Sequence, residues 1–157
     1  GERIYFGGGA PGSASILYAV LAGAVGEIPP PGKDGKGPFV AWSGRRWAPG
    51  MASPVVVGKE LYIVNDFVNC HDVQTGERLY RQRLPGARTF AASPWTAGGK
   101  IFALDETGQT FVLEAGRQFK LLRTNKLPDK DVFWSTPSIA GGSLLIRGVE
   151  HLYCIRQ

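Results

Sequence analysis

The chain has 157 residues, of which 43% are hydrophobic, and carries a formal net charge of +5. A chain of this length can bury the core of one ordinary domain, and the composition reads as globular. It argues against a membrane-spanning helix, because the longest apolar run, Ile16 to Val25, falls well short of the ~20 residues needed to cross a bilayer. The 22 Gly and 11 Pro suit a chain with many turns, and no stretch sustains a helical period, so a mainly β protein is expected.

In chain order, Arg3 to Phe6 and Ser15 to Val20 read as the first strands. Leu17 to Gly23 could be helical by composition, but it aligns with Thr110 to Gly116 further on, and register between the copies favours a strand. From Gly26 to Pro38 the chain turns to Pro29-Pro30-Pro31, Gly32, Lys33, Gly35, Lys36 and Gly37. That composition buries little and marks an inserted surface loop. Phe39 to Trp47 supplies an outer strand.

Met51 to Leu84 then reads as four short strands, Pro54 to Val57, Leu61 to Val64, Asn69 to Val73 and Arg78 to Leu84, separated by Gly, Asn and Asp turn signals. This unit recurs. Ser53-Pro54 returns as Ser93-Pro94 and Thr136-Pro137, at steps of 40 and 43 residues. Each copy continues through an apolar triplet into Gly58-Lys59, Gly98-Gly99-Lys100 or Gly141-Gly142-Ser143. The next strand also repeats, beginning at Leu61, Ile101 and Leu144, and near the start at Ile4. A four-strand unit of roughly 40 residues is the period of a β-propeller blade.

The expected architecture is therefore all-β: a partial β-propeller of four-stranded antiparallel blades. Blade one spans 1–47 with the inserted loop at 24–38, blade two 51–84, blade three 91–127, and blade four 134–157, the last incomplete. The second strands are apolar on both faces, Leu61 and Ile63 opposing Tyr62 and Val64, which predicts sheets packed between two neighbours. A start at Gly1 without the first strand of blade one predicts a piece of a longer chain. Two unpaired blade faces would make such a piece self-associate.

The run Cys70-His71-Asp72-Val73-Gln74-Thr75-Gly76-Glu77-Arg78-Leu79-Tyr80 resembles the repeat of the PQQ-like (pyrroloquinoline-quinone-type) β-propeller superfamily, in which an apolar residue, Asp, a Thr-Gly turn and an aromatic recur in each blade. The Ser-Pro and Gly-Lys steps and the closing His151 to Ile155 resemble bacterial members. The resemblance implies an intact ring of seven or eight blades, about three and a half of them within this chain, and a periplasmic or extracellular location. Quinoprotein dehydrogenases of the superfamily have Trp where this chain has Tyr80. Blade three shortens the motif to Glu114-Ala115-Gly116, and blade four ends before it. The superfamily also contains non-enzymatic propellers, including the lipoprotein scaffold of the bacterial outer-membrane assembly machine, and the departures favour that group.

No catalytic constellation is evident. Cys70 and Cys154 occupy the same third-strand position in two blades, match no zinc spacing and are expected in the core. His71 and His151, the only histidines, have no nucleophile or carboxylate at motif spacing. Gly7 to Gly12 precedes a strand, so it lacks the helix N-terminus of a phosphate cradle. Arg45, Arg46, Arg78, Arg81 and Arg83 fall on or beside outer strands, where charge blocks edge pairing and needs no nucleic-acid partner. Trp42 and Trp47 are expected between blades.

Trp134 differs, because it lies on an interblade connection near the axis, equivalent to Met51 and Ala91. A ligand face there would combine it with Asn65, Asp66, Arg88, Phe90, Asp105, Glu106 and Phe133. The bland alternative is that Phe133 and Trp134 plug the channel. The leading expectation is a non-catalytic scaffold presenting this face to a protein or other ligand, with no cofactor evident. The alternatives are part of an oxidoreductase using PQQ and Ca²⁺, or a carbohydrate-binding propeller stacking sugars on Trp134 and Phe90.

Overall fold

The computed structural model describes residues 2–8, 15–45, 47–128 and 130–156. Every regular element among them is a strand. The first sheet holds β1 (Arg3–Gly8), β2 (Ile16–Leu21) and β3 (Val40–Arg45). The second holds β4 (Val55–Val57), β5 (Glu60–Val64), β6 (Val68–Asp72) and β7 (Arg78–Gln82). The third is β8 (Trp95–Ala97), β9 (Lys100–Leu104), β10 (Gln109–Glu114) and β11 (Leu121–Lys126). The fourth is β12 (Ser138–Ala140), β13 (Ser143–Arg147) and β14 (Leu152–Ile155). Each sheet is an antiparallel meander whose strands pair in sequence order, and together they form a partial multi-blade β-propeller.

The repeat is visible in backbone detail. The last two strands of the first three sheets slip register at equivalent places, after Ala19, Cys70 and Val112. A bulge there bends and twists the outer strand. Residues 17–23, ambiguous by composition, contribute β2 and a turn. The loop at 24–38 forms no strand. It folds back through Gly32 N–H to Lys36 O and Gly37 N–H to Val40 O. Gly35, at φ +78°, lies so close to Ser43 O that a side chain would not fit.

Burial follows from stacking sheet on sheet. Leu61, Tyr62, Ile63 and Val64 are all buried, so β5 has no solvated face. Leu61 and Ile63 pack with Leu17, Ala19 and Trp42 of the first sheet. Tyr62 and Val64 pack with Ile101, Ala103, Phe111 and Leu113 of the third. Phe133 is buried with Leu104 and Ile146 between the third and fourth sheets. Cys70 lies in this core, but Cys154 is exposed. The shared repeat position puts both on third strands, and no described element covers β14 as the third sheet covers β6.

Polar bonds stitch the same seams. Between the first two sheets, Arg3 Nη1, Tyr5 Oη and Trp42 Nε1 all donate to Val73 O, at 2.8, 3.2 and 3.0 Å. Gly76, at φ +75°, has no room for a Cβ against the Trp42 ring. Between the second and third sheets the hydroxyl of Tyr62, equivalent to Tyr5, receives Gly116 N–H at 2.7 Å and donates to Gly116 O at 3.2 Å. Arg117 adds a 3.0 Å ion pair to Asp72, which holds that carboxyl below its ordinary range. The Ser/Thr-Pro step has its own role: Ser53 N–H donates to Ser93 Oγ and Ser93 N–H to Thr136 Oγ1, both at 2.9 Å. Successive inner strands are thereby linked hydroxyl to amide.

Candidate functional site

The turns between second and third strands, together with the interblade connections, make one face of the assembly. Asn65 begins the β5–β6 turn and accepts Phe67 N–H at 3.1 Å. Asp105 begins the equivalent β9–β10 turn and is fully buried. Its Oδ1 accepts Thr107 N–H, Thr107 Oγ1–H and Gln109 N–H at 2.8 to 3.0 Å. Its Oδ2 accepts Arg88 N–H at 3.0 Å, tying the preceding connection to the turn.

In the fourth sheet Gly148 occupies this turn position, and the carboxylate comes from elsewhere. Asp131, on the connection before β12, fills the space where Gly148 lacks a Cβ. It accepts N–H groups from Val132, Val149, Glu150 and His151 at 2.7 to 3.2 Å. Burial pushes the Asp131 pKa up, but those backbone donors outweigh it and bring it down to about 2. The sequence reading missed Asp131. The signal available was Gly148 standing where the other copies have Asn65 and Asp105.

The eight residues expected on the ligand face divide by burial. Phe90, Asp105 and Phe133 are buried: Phe90 packs on Phe111 with ring centroids 6.0 Å apart, and Phe133 on Tyr153 at 5.5 Å. Asp66, Arg88 and Trp134 are exposed, and Asn65 and Glu106 half-buried. Asp66, Arg88 and Glu106 line one pocket of about 380 Å³ with Arg83, Leu84, Ala87 and Thr89. Glu106 also borders a neighbouring hollow of about 640 Å³ with Lys126, Lys130, Asp131 and Val132. Glu106 O accepts Phe133 N–H, which places Trp134 next along the same face. Trp134 is 60% and Met51 72% exposed, at equivalent places on their connections.

Three other residues weighed above, His71, Cys70 and Tyr80, are packed within the sheets. His71 is fully buried against Trp47, ring centroids 4.7 Å apart, with Nδ1 3.0 Å from Gly76 O. Burial holds its pKa below the ordinary histidine value. Burial likewise pushes the Cys70 thiol up to about 11, which makes it a poor nucleophile. Tyr80, at the position of the quinoprotein Trp, packs edge-on against Phe119 of the β10–β11 loop at 5.8 Å. Arg46 and residues 9–12 of the glycine-rich loop lie outside the described residues.

Among the described residues no three His, Cys, Asp or Glu side chains converge as metal ligands, and no helix is long and apolar enough to cross a membrane. An apolar cleft of about 580 Å³ between the third and fourth sheets is lined by Trp95, Phe102, Ile139, Leu144 and Ile155.

These features define a propeller with a polar face of turns and a few exposed apolar side chains. Among solved structures it is similar to BamB from Moraxella catarrhalis, with a TM-score of 0.70 at 12% identity over 99% of this chain and 43% of that one. The chain thus spans less than half the length of that relative. A europium-containing methanol dehydrogenase aligns over 59% of this chain and 19% of its own, at 22% identity and a TM-score of 0.47. No family model and no curated protein sequence matches the chain.

Proposed function

We propose that this chain belongs to a non-catalytic PQQ-like propeller that acts as a binding scaffold, holding a protein partner on the face of Asp66, Arg88, Glu106 and Trp134. The observation that carries this reading is the exposure of Trp134 and Met51 at equivalent places on their connections, together with a pocket rimmed with charge at Asp66, Arg83, Arg88 and Glu106. Exposed aromatic and Met side chains within a polar rim are what binding surfaces concentrate. The buried polar groups Asp105, Asp131 and His71 are occupied in holding turns and sheets. The likeness to BamB supports the fold on which such a face is built. The superfamily resemblance supports a location in the bacterial periplasm or outside the cell, with residues 1–157 contributing one propeller unit.

The test is to replace Trp134 and Met51 together by Ala and measure retention of the partner that the unmodified protein captures. The scaffold reading expects a loss of roughly tenfold or more in affinity, as for anchor residues of other interfaces. Unchanged retention would remove this face from the account.

A further inference from the structure

Phe67 stands at the tip of the β5–β6 turn, and the outer strand brings two cations to its ring. Arg81 Cζ lies 3.4 Å and Arg83 Cζ 5.0 Å from the ring centroid. The register explains why. Asn69 pairs with Arg81 and Val68 with Gln82, so residues 81 and 83 leave the strand on one side, beside the turn that carries residue 67. The ring attracts each cation, yet two guanidinium groups on one ring repel each other. Among the described residues, neither has a carboxylate within ion-pair distance.

The separation of 3.4 Å is a stacking distance, at which a guanidinium lies flat and keeps its N–H edge free for a planar acceptor. Arg83 continues into the pocket of about 380 Å³, where Arg88 is a second exposed cation and Asp66 and Glu106 are its acids. That alternation of sign suits a segment with spaced carboxylates and backbone N–H donors better than a phosphate polyanion, which the two acids would repel. Side chains two residues apart on an extended chain stand about 7 Å apart, and Arg81 and Arg83 are two residues apart at the end of β7.

We infer that Arg81, stacked on Phe67, and Arg83 beside the same ring, with Arg88 in the adjoining pocket, recognise the Asp or Glu side chains of an extended acidic segment in a protein partner. This rests on the reading of the face as partner-binding and names the chemistry of the partner.

The probe is a short fluorescein-labelled peptide of alternating Glu and Thr, followed by fluorescence anisotropy at low and moderate salt. Arg81→Gln with Arg83→Gln should weaken binding roughly tenfold or more, the scale of lost charge-assisted hydrogen bonds. Arg78→Gln, on the same strand but off the ring, should change it less than about twofold, as a distant surface charge does. Arg81→Lys with Arg83→Lys keeps the charge and should still weaken binding, because an ammonium lacks the planar fork. Phe67→Leu should weaken it and Phe67→Tyr restore it, with circular dichroism confirming that each variant is folded.

A loss for Arg78→Gln equal to that for Arg81→Gln with Arg83→Gln would reduce the site to net charge and overturn the proposal. So would displacement of the peptide by inorganic phosphate at lower concentration than by free glutamate, or no peptide binding by the unmodified protein. The Trp134 and Met51 experiment reads the partner face without this peptide, so the face can stand while the acidic specificity falls.

Discussion

Tyr62→Phe removes one oxygen from a fully buried side chain and unties the second sheet from the third. The hydroxyl is both acceptor for Gly116 N–H at 2.7 Å and donor to Gly116 O at 3.2 Å. Without it the amide loses its partner, and among the described residues the carbonyl keeps only the 3.8 Å contact with Cys70 Sγ. Leaving such groups unsatisfied costs about 1–3 kcal/mol, and each kcal/mol lowers Tm by roughly 2–4 °C in a domain of this size. The equivalent Tyr5→Phe is the internal control, because Val73 O retains Arg3 and Trp42 as donors and the loss should stay below about 1 kcal/mol. Urea denaturation of both variants gives the comparison. A Tyr62→Phe loss no larger than that of Tyr5→Phe would refute the claim that this hydroxyl is a seam tie.

Ile63→Ala, at a fully buried position in the first seam, should cost about 2–5 kcal/mol by denaturant titration. Ser93→Ala removes the acceptor for Ser53 N–H and should cost about 0.5–1.5 kcal/mol, with faster hydrogen exchange at the Ser53 amide as its local mark. Asp131, at about 2 when folded, lies below an ordinary unfolded carboxyl, so its contribution is present above the carboxylate range and lost as pH falls toward 2. Asp131→Asn should therefore lower the urea midpoint at neutral pH and flatten its decline in acid. His71 has a lowered pKa, so the unfolded chain takes up its proton first and stability should fall as pH drops below the ordinary histidine range. His71→Leu should remove that part of the pH dependence in the same titration.

The strands were legible because the repeat is written three times, and agreement between copies settles what one copy leaves open. Residues 17–23 show this, since their composition suits a helix and their alignment with 110–116 predicts the strand found at β2. The roles of repeated residues were less legible. Ser53-Pro54, Ser93-Pro94 and Thr136-Pro137 mark the period, but only the spatial neighbourhood of successive blades makes one hydroxyl the acceptor for the preceding amide.

Face and core were the hardest to separate near the turns. Asp105 looks like any exposed turn acid, yet it is buried because the preceding connection closes over it through Arg88 N–H. Phe133 and Trp134 are adjacent, and one enters the core while the other faces solvent, as alternation along an extended connection requires. The Phe67, Arg81 and Arg83 cluster depends on the register of β6 against β7, which includes a bulge at Cys70/His71. A bulge shifts pairing by one residue, so no spacing rule applied to the sequence would have brought those three together.

The most direct test of the scaffold reading is photo-crosslinking in cells with the reactive residue placed at position 134, compared with position 123 on the outer rim. The account predicts one defined protein adduct from position 134, weakened by Arg83→Gln, and none of comparable yield from 123. Adducts of equal yield from both positions, or from 123 alone, would contradict it.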